Sequence, residues 1–132
     1  MFNTLVVEHN ASYRQTLSDI LLVHFPEIEV DEAGDGMEAL SRVDYRRPNL
    51  ILMDIYLPEA NGLYVSKEIK RVYSDIVIVI LSSNSLLEYV TEAHRYGVDY
   101  LISKEDDCCM ESILTRVDAE LARLSQHSSR AM

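Results

Sequence analysis

Five short apolar runs punctuate this chain, and they limit the folds open to it more than any other feature. They are Leu5-Val6-Val7, Ile28 to Val30, Leu50 to Met53, Ile76 to Leu81 and Tyr100 to Ile102. Each is bounded by polar or turn-forming residues, as strands buried on both faces of a parallel sheet are. The stretches between them carry a helical period. Tyr13, Leu17, Ile20, Leu21 and His24 share one predicted face, and Pro26 stops that helix. Asp35 precedes a second helix with the face Met37, Leu40 and Val43. Val65, Ile69 and Val72 mark a third. Leu86, Val90 and Ala93 mark a fourth, with Gly97 as its stop. Ile113, Val117, Leu121 and Leu124 mark a fifth.

Strands alternating with helices imply an α/β, doubly wound, five-stranded parallel sheet covered on both faces. The strand order 2-1-3-4-5, flavodoxin-like, is the common one at this size. A length of 132 residues fits one domain, read here as residues 1–124 with a polar, fraying tail over 125–132. In that order the ligand crevice opens beyond the carboxyl ends of strands 1 and 3. Glu8 and His9 end strand 1, and Asp54 ends strand 3, so the fold alone brings these three to one rim.

Charge narrows the partners. Acidic residues outnumber basic ones by 22 to 12, a net charge of -10. Such a surface repels phosphate backbones, so direct nucleic-acid binding by this domain is not expected. No apolar run reaches the length of a membrane span, and Met1 to Thr4 lacks the pattern of a signal peptide, so the expectation is a cytoplasmic protein without a membrane partner. Adjacent Cys108 and Cys109 read as two reduced thiols at a helix start.

Four segments meet at the strand ends: VVEH, LILMDIYLPEANGL, VIVILSS and YLISKE. They bring acids, a hydroxyl and a lysine to one edge, which suits a phosphoryl group. Carboxylates hold a hard cation such as Mg²⁺, an ammonium supplies compact positive charge, and a hydroxyl donates to a phosphate oxygen.

In these segments the chain resembles the receiver domain of two-component response regulators, over about residues 4 to 124. Asp54 ends an apolar strand, with Pro58 four residues on and Gly62 eight residues on, as in that family. ILSS resembles the family's strand ending in Thr or Ser, and GVDYLIS before Lys104 resembles its lysine-bearing strand. The resemblance implies that Asp54 is the phosphoacceptor, taking its phosphoryl group from a histidine kinase or phosphotransfer protein. Ser82 and Lys104 bind the phosphoryl oxygens. Glu8, Asp54 and the backbone carbonyl of Tyr56 hold Mg²⁺, with His9 beside them. Ser82 and Leu101 stand at the switch positions. The output is a shift of the face made by helix 4, strand 5 and helix 5, open to a fused or separate output partner and to a homodimer. The protein is then a signalling switch with at most weak self-phosphorylating and dephosphorylating chemistry, not a metabolic enzyme.

Three positions depart from the family. His9 stands where a second acid is usual. A neutral imidazole is a poorer ligand for Mg²⁺, which prefers hard oxygens. Four readings of His9 stay open: a weakened Mg²⁺ site, a protonated His9 standing in for the cation, a site retuned to Mn²⁺ or Zn²⁺, or a side chain that points away. Leu101 replaces the aromatic common three residues before the lysine. Glu105 replaces a proline after it. These departures support a rival reading, a module of the same fold that signals without phosphorylation. A flavin carrier is a weaker rival, since EHNASYRQT offers no glycine to cradle a phosphate.

Overall fold

Leu50–Asp54 is buried at every position, and it lies in the middle of the sheet. The computed structural model of the chain describes residues 1–83 and 90–131. In chain order the strands are β1 (Asn3–Val7), β2 (Glu29–Ala33), β3 (Leu50–Asp54), β4 (Tyr56–Leu57), β5 (Ala60–Asn61), β6 (Val77–Ser82) and β7 (Tyr100–Ser103). The helices are α1 (Ala11–His24), α2 (Gly36–Tyr45), α3 (Gly62–Val72), α4 (Val90–Arg95) and α5 (Cys109–Ala131). Five strands form one parallel sheet in the order β2-β1-β3-β6-β7. This is the expected 2-1-3-4-5 order, with β6 and β7 as the fourth and fifth predicted strands. The short antiparallel hairpin β4–β5 stands apart from it.

Alternation along the strands builds two cores. Leu5, Val7, Ile51, Met53, Ile78 and Ile80 face α2 and α3, meeting Ala39, Val43, Leu63, Val65 and Ile69. Val6, Leu50, Leu52, Val79 and Leu81 face α1 and α5, meeting Leu17, Leu21, Ile113 and Val117. Each fully buried Leu or Ile contributes about 1.5–3 kcal/mol, so β3, filled on both faces, anchors the sheet.

The predicted helix faces hold in part. On α1, Leu17 and Leu21 are buried, but His24 is exposed and the next residue, Phe25, takes the buried place. On α2 the buried residues are Gly36, Ala39 and Val43, while Met37 is 78% exposed. Small residues win here because α2 lies close to α3: a Cβ on Gly36 would sit 2.9 Å from Val65 Cγ2. On α3, Val65 and Ile69 are buried and Val72 is exposed, because the inward stripe runs back through Ser66 and Gly62 instead. Ala93 of α4 is buried and Val90 is exposed, and Leu86 lies outside the described residues. The α5 backbone stays helical to Ala131, through the stretch expected to fray. That stretch holds no glycine or proline to stop it.

The second strand lies slightly later than its apolar run suggests. Ile28 is buried ahead of β2, whose sequence is EVDEA. As an edge strand it carries charge outward, and Arg46 bridges Glu29 at 2.5 Å and Asp31 at 3.0 Å. No helix among the described residues is long and apolar enough to cross a membrane.

Candidate phosphoryl-handling site

The carboxyl ends of β1, β3 and β7 deliver Glu8, Asp54 and Lys104 to one point. The register sets this placement: Val7 pairs with Met53, and Asp54 with Leu81. Beyond β7, the Lys104 N–H donates to the Ser82 carbonyl at 2.7 Å, fixing the lysine's backbone to the end of β6. From there its Nζ lies 3.1 Å from Asp54 Oδ2 and also donates to Glu8 Oε1. Both carboxylates are buried, with side chains only 5% (Glu8) and 11% (Asp54) exposed.

The remaining carboxylate oxygens are satisfied by the backbone. Tyr56 N donates to Asp54 Oδ1 at 3.2 Å, and Asn10 N donates to Glu8 Oε2 at 3.1 Å. Arg14 Nη1 donates to the Glu8 carbonyl at 2.6 Å while its Nε pairs with Glu32 at 3.1 Å. Two carboxylates and one ammonium leave the cluster one charge short of neutral, a state that favours a further cation.

Behind Asp54 the chain doubles back through the β4–β5 hairpin. Its corner has Pro58 followed by Glu59 at φ 63, a left-handed conformation that costs a non-glycine residue energy. The return brings Gly62 N to the Ile55 carbonyl at 2.8 Å. A Cβ at Gly62 would fall 2.4 Å from the Asp54 carbonyl oxygen, so only glycine fits. The spacing from Asp54 to Gly62 thus has a steric cause.

Other predicted residues take varied places. Ser82 ends β6 fully buried, opposite Ser103 of β7. Tyr56 is exposed and joins the site through its backbone. Leu101 is half-buried against the α2–α3 core, while Tyr100 carries the Arg116 guanidinium 3.6 Å from its ring centroid. His9 is exposed, in a cleft with Asp35, Met37, Pro58, Glu59 and Ala60. Among the described residues no group of three His, Cys, Asp or Glu side chains is arranged to hold a metal. Glu8 and Asp54 nonetheless suit Mg²⁺, which commonly takes one or two carboxylates and completes its shell with water and phosphate oxygens.

Sequence patterning missed Tyr13, which reads there as one more amphipathic face residue. Its ring lies over the Lys104 ammonium, 4.4 Å from Nζ to the centroid. The available signal was Asn10, three residues earlier: its Oδ1 caps α1 by accepting from Tyr13 N at 3.0 Å, which holds the first turn beside the strand end. Burial pulls the Lys104 pKa down, but the hydrogen bonds and charges of Glu8 and Asp54 outweigh it and the net direction is up. Burial raises the Tyr13 hydroxyl and the Cys109 thiol above their ordinary values.

Comparison with known proteins follows the same lines. Residues 4–117 match the family model described as the response regulator receiver domain. The transcriptional regulatory protein DegU of Brevibacillus brevis is 31% identical over 104 residues, covering 78% of this chain and 44% of that protein. The transcriptional regulatory protein HptR of Staphylococcus aureus (strain NCTC 8325 / PS 47) is 30% identical over 136 aligned residues, covering 100% of this chain and 52% of that protein. The chain therefore spans roughly half the length of these relatives. A CheY-like receiver from Methanospirillum hungatei JF-1 superposes with a TM-score of 0.84 at 20% identity, covering 96% of this chain and 98% of its own, a likeness of fold alone. The chemotaxis regulator CheY4 of Vibrio cholerae superposes at 0.80 with 25% identity, covering 91% of this chain and 98% of its own.

Proposed function

The chain belongs to the response-regulator receiver family, and on that premise we propose that Asp54 is its phosphoacceptor. One observation carries the reading: at the carboxyl rim of the sheet, a buried aspartate stands 3.1 Å from the ammonium of Lys104 and shares that ammonium with Glu8. An Asp54 oxygen attacks the phosphorus of a phosphohistidine on a histidine kinase or phosphotransfer protein. The O–P bond forms, the P–N bond breaks, and the imidazole leaves. Catalysis is mostly positioning and charge neutralisation. Lys104 and the Ser82 hydroxyl bind the transferred oxygens. Glu8, Asp54 and the Tyr56 carbonyl would hold Mg²⁺, which neutralises phosphoryl charge when bound. The exposed position of His9 supports a site that relies on two carboxylates.

A new dianion would draw on Ser82 and Lys104 together, since the ends of β6 and β7 are joined by the Lys104–Ser82 backbone bond. This biases the face formed by α4, β7 and α5, with Leu101 in the usual aromatic position. Residues 1–124 form the receiver in this reading, and it works in the cytoplasm. The names of the longer relatives support a fused or separate output that acts on transcription.

Intact mass after incubation with a small phosphodonor and Mg²⁺ tests the proposal. Wild type gains one phosphoryl group, and Asp54→Ala gains none. No gain with any divalent ion, or with the cognate kinase, overturns it. That outcome would favour the second reading, a phosphorylation-independent module, for which His9 in place of an acid is the specific support.

A further inference from the structure

The ring of Tyr13 covers the Lys104 ammonium at 4.4 Å, yet phosphoryl transfer as described has no use for it. We propose that Tyr13 is a positioning residue that holds Lys104 against Asp54, so that the ammonium stands ready for the incoming phosphoryl oxygens. The proposal rests on the receiver reading for its chemistry. Lysine carries a compact charge on a flexible four-carbon stem, and its head stays in place only where several sides are occupied. Here Glu8 and Asp54 bind the N–H groups. The aromatic face attracts the cation from a further side and leaves the carboxylates as the remaining direction for its donors.

Tyr13 is itself fixed at two points. Its backbone N–H donates to Asn10 Oδ1 at 3.0 Å, in the first turn of α1, and its ring lies over the Lys104 ammonium. Asn10 also donates its own N–H to Glu8 Oε2. The passage from β1 into the first turn of α1 thus supplies both an acid and a ring to the same ammonium.

The test is a double-mutant cycle between Tyr13→Leu and Lys104→Met, with Tyr13→Phe as the conservative variant. With a small phosphodonor, Tyr13→Leu lowers the limiting phosphorylation rate by roughly 2- to 30-fold and leaves the saturation constant unchanged, while Tyr13→Phe stays within about twofold of wild type. In the Lys104→Met background, Tyr13→Leu has no further effect. A wild-type rate for Tyr13→Leu overturns the proposal, as does the same slowing with and without Lys104. Tyr13→Met replaces Tyr13→Leu if that variant does not fold. Urea unfolding of the same four proteins gives a readout independent of phosphorylation. If wild type accepts no phosphoryl group, the receiver reading fails and the unfolding cycle decides on Tyr13 alone. Coupling between the two substitutions then supports the proposal, and additivity overturns it.

Discussion

Gly62 lies so close behind Asp54 that a Cβ there would fall 2.4 Å from the Asp54 carbonyl oxygen. The atom that would have to move is backbone, part of the strand end that carries the proposed nucleophile. Gly62→Ala is therefore expected to cost about 1–3 kcal/mol of stability, as overpacking does, and to slow Asp54 phosphorylation by displacing the carboxylate. Urea denaturation and phosphorylation rates measure the two effects, and a variant with wild-type values in both would contradict the packing described.

Glu59 presents the opposite case. It holds φ 63 at the hairpin corner, where glycine escapes the strain of the left-handed region. Glu59→Gly is expected to stabilise the protein by about 0.5–1 kcal/mol, the strain relieved less the added freedom of the unfolded chain. Loss of stability on denaturant titration would count against that corner geometry.

Lys104 holds two buried acids together, so Lys104→Met leaves them facing each other without a counter-charge. The expected cost is roughly 3 kcal/mol, read by urea unfolding near neutral pH in a chelator. The pH dependence has a definite sign. The folded pKa of Lys104 is raised above its ordinary 10.5, so its stabilisation is complete below that pH and is lost as pH climbs through the higher folded value. Tyr13, also raised from 10.0, acts in the same direction. Wild type should lose stability steeply above about pH 10.5, and Lys104→Met should lose less over that range. Parallel alkaline profiles would show that Lys104 is not the group responsible.

His9→Asp restores an acid next to Glu8. Even at high effective dielectric an added unit charge near a cation contributes about 1–4 kcal/mol. A gain of about fivefold or more in Mg²⁺ affinity is expected on that basis, followed by tyrosine fluorescence or calorimetry. Unchanged affinity would mean that the outward path of His9 also carries an aspartate away from the site.

Asn10→Ala removes the cap of α1 and should cost about 1 kcal/mol, with Asn10→Asp close to wild type. Thermal unfolding of the pair distinguishes loss of the side-chain acceptor from any change at the Glu8 carboxylate, which the Asn10 backbone still serves.

The strands were legible because β3 and β6 are continuous apolar runs, and burial on both faces needs nothing more. Glu8, Asp54 and Lys104 were legible as a group because parallel topology sends strand ends to one rim. The α2 face was not, because the close approach to α3 selects Gly36 and Ala39 over the larger Met37 and Leu40, and size-weighted patterning points the wrong way. The β4–β5 hairpin escaped notice because two-residue strands have no period. Tyr13 was missed because its contact with Lys104 spans most of the chain and depends on the cap at Asn10.

The clasp of Arg46 on Glu29 and Asp31 bears on how the molecule behaves in a crowd. An open sheet edge is a template for another copy's backbone, and charge along it is the common defence. A strand arriving beside β2 would have to displace a guanidinium and desolvate Glu29, Asp31 and Glu32 together. Addition of a further strand at this edge, and with it fibre growth from the sheet, is thereby opposed.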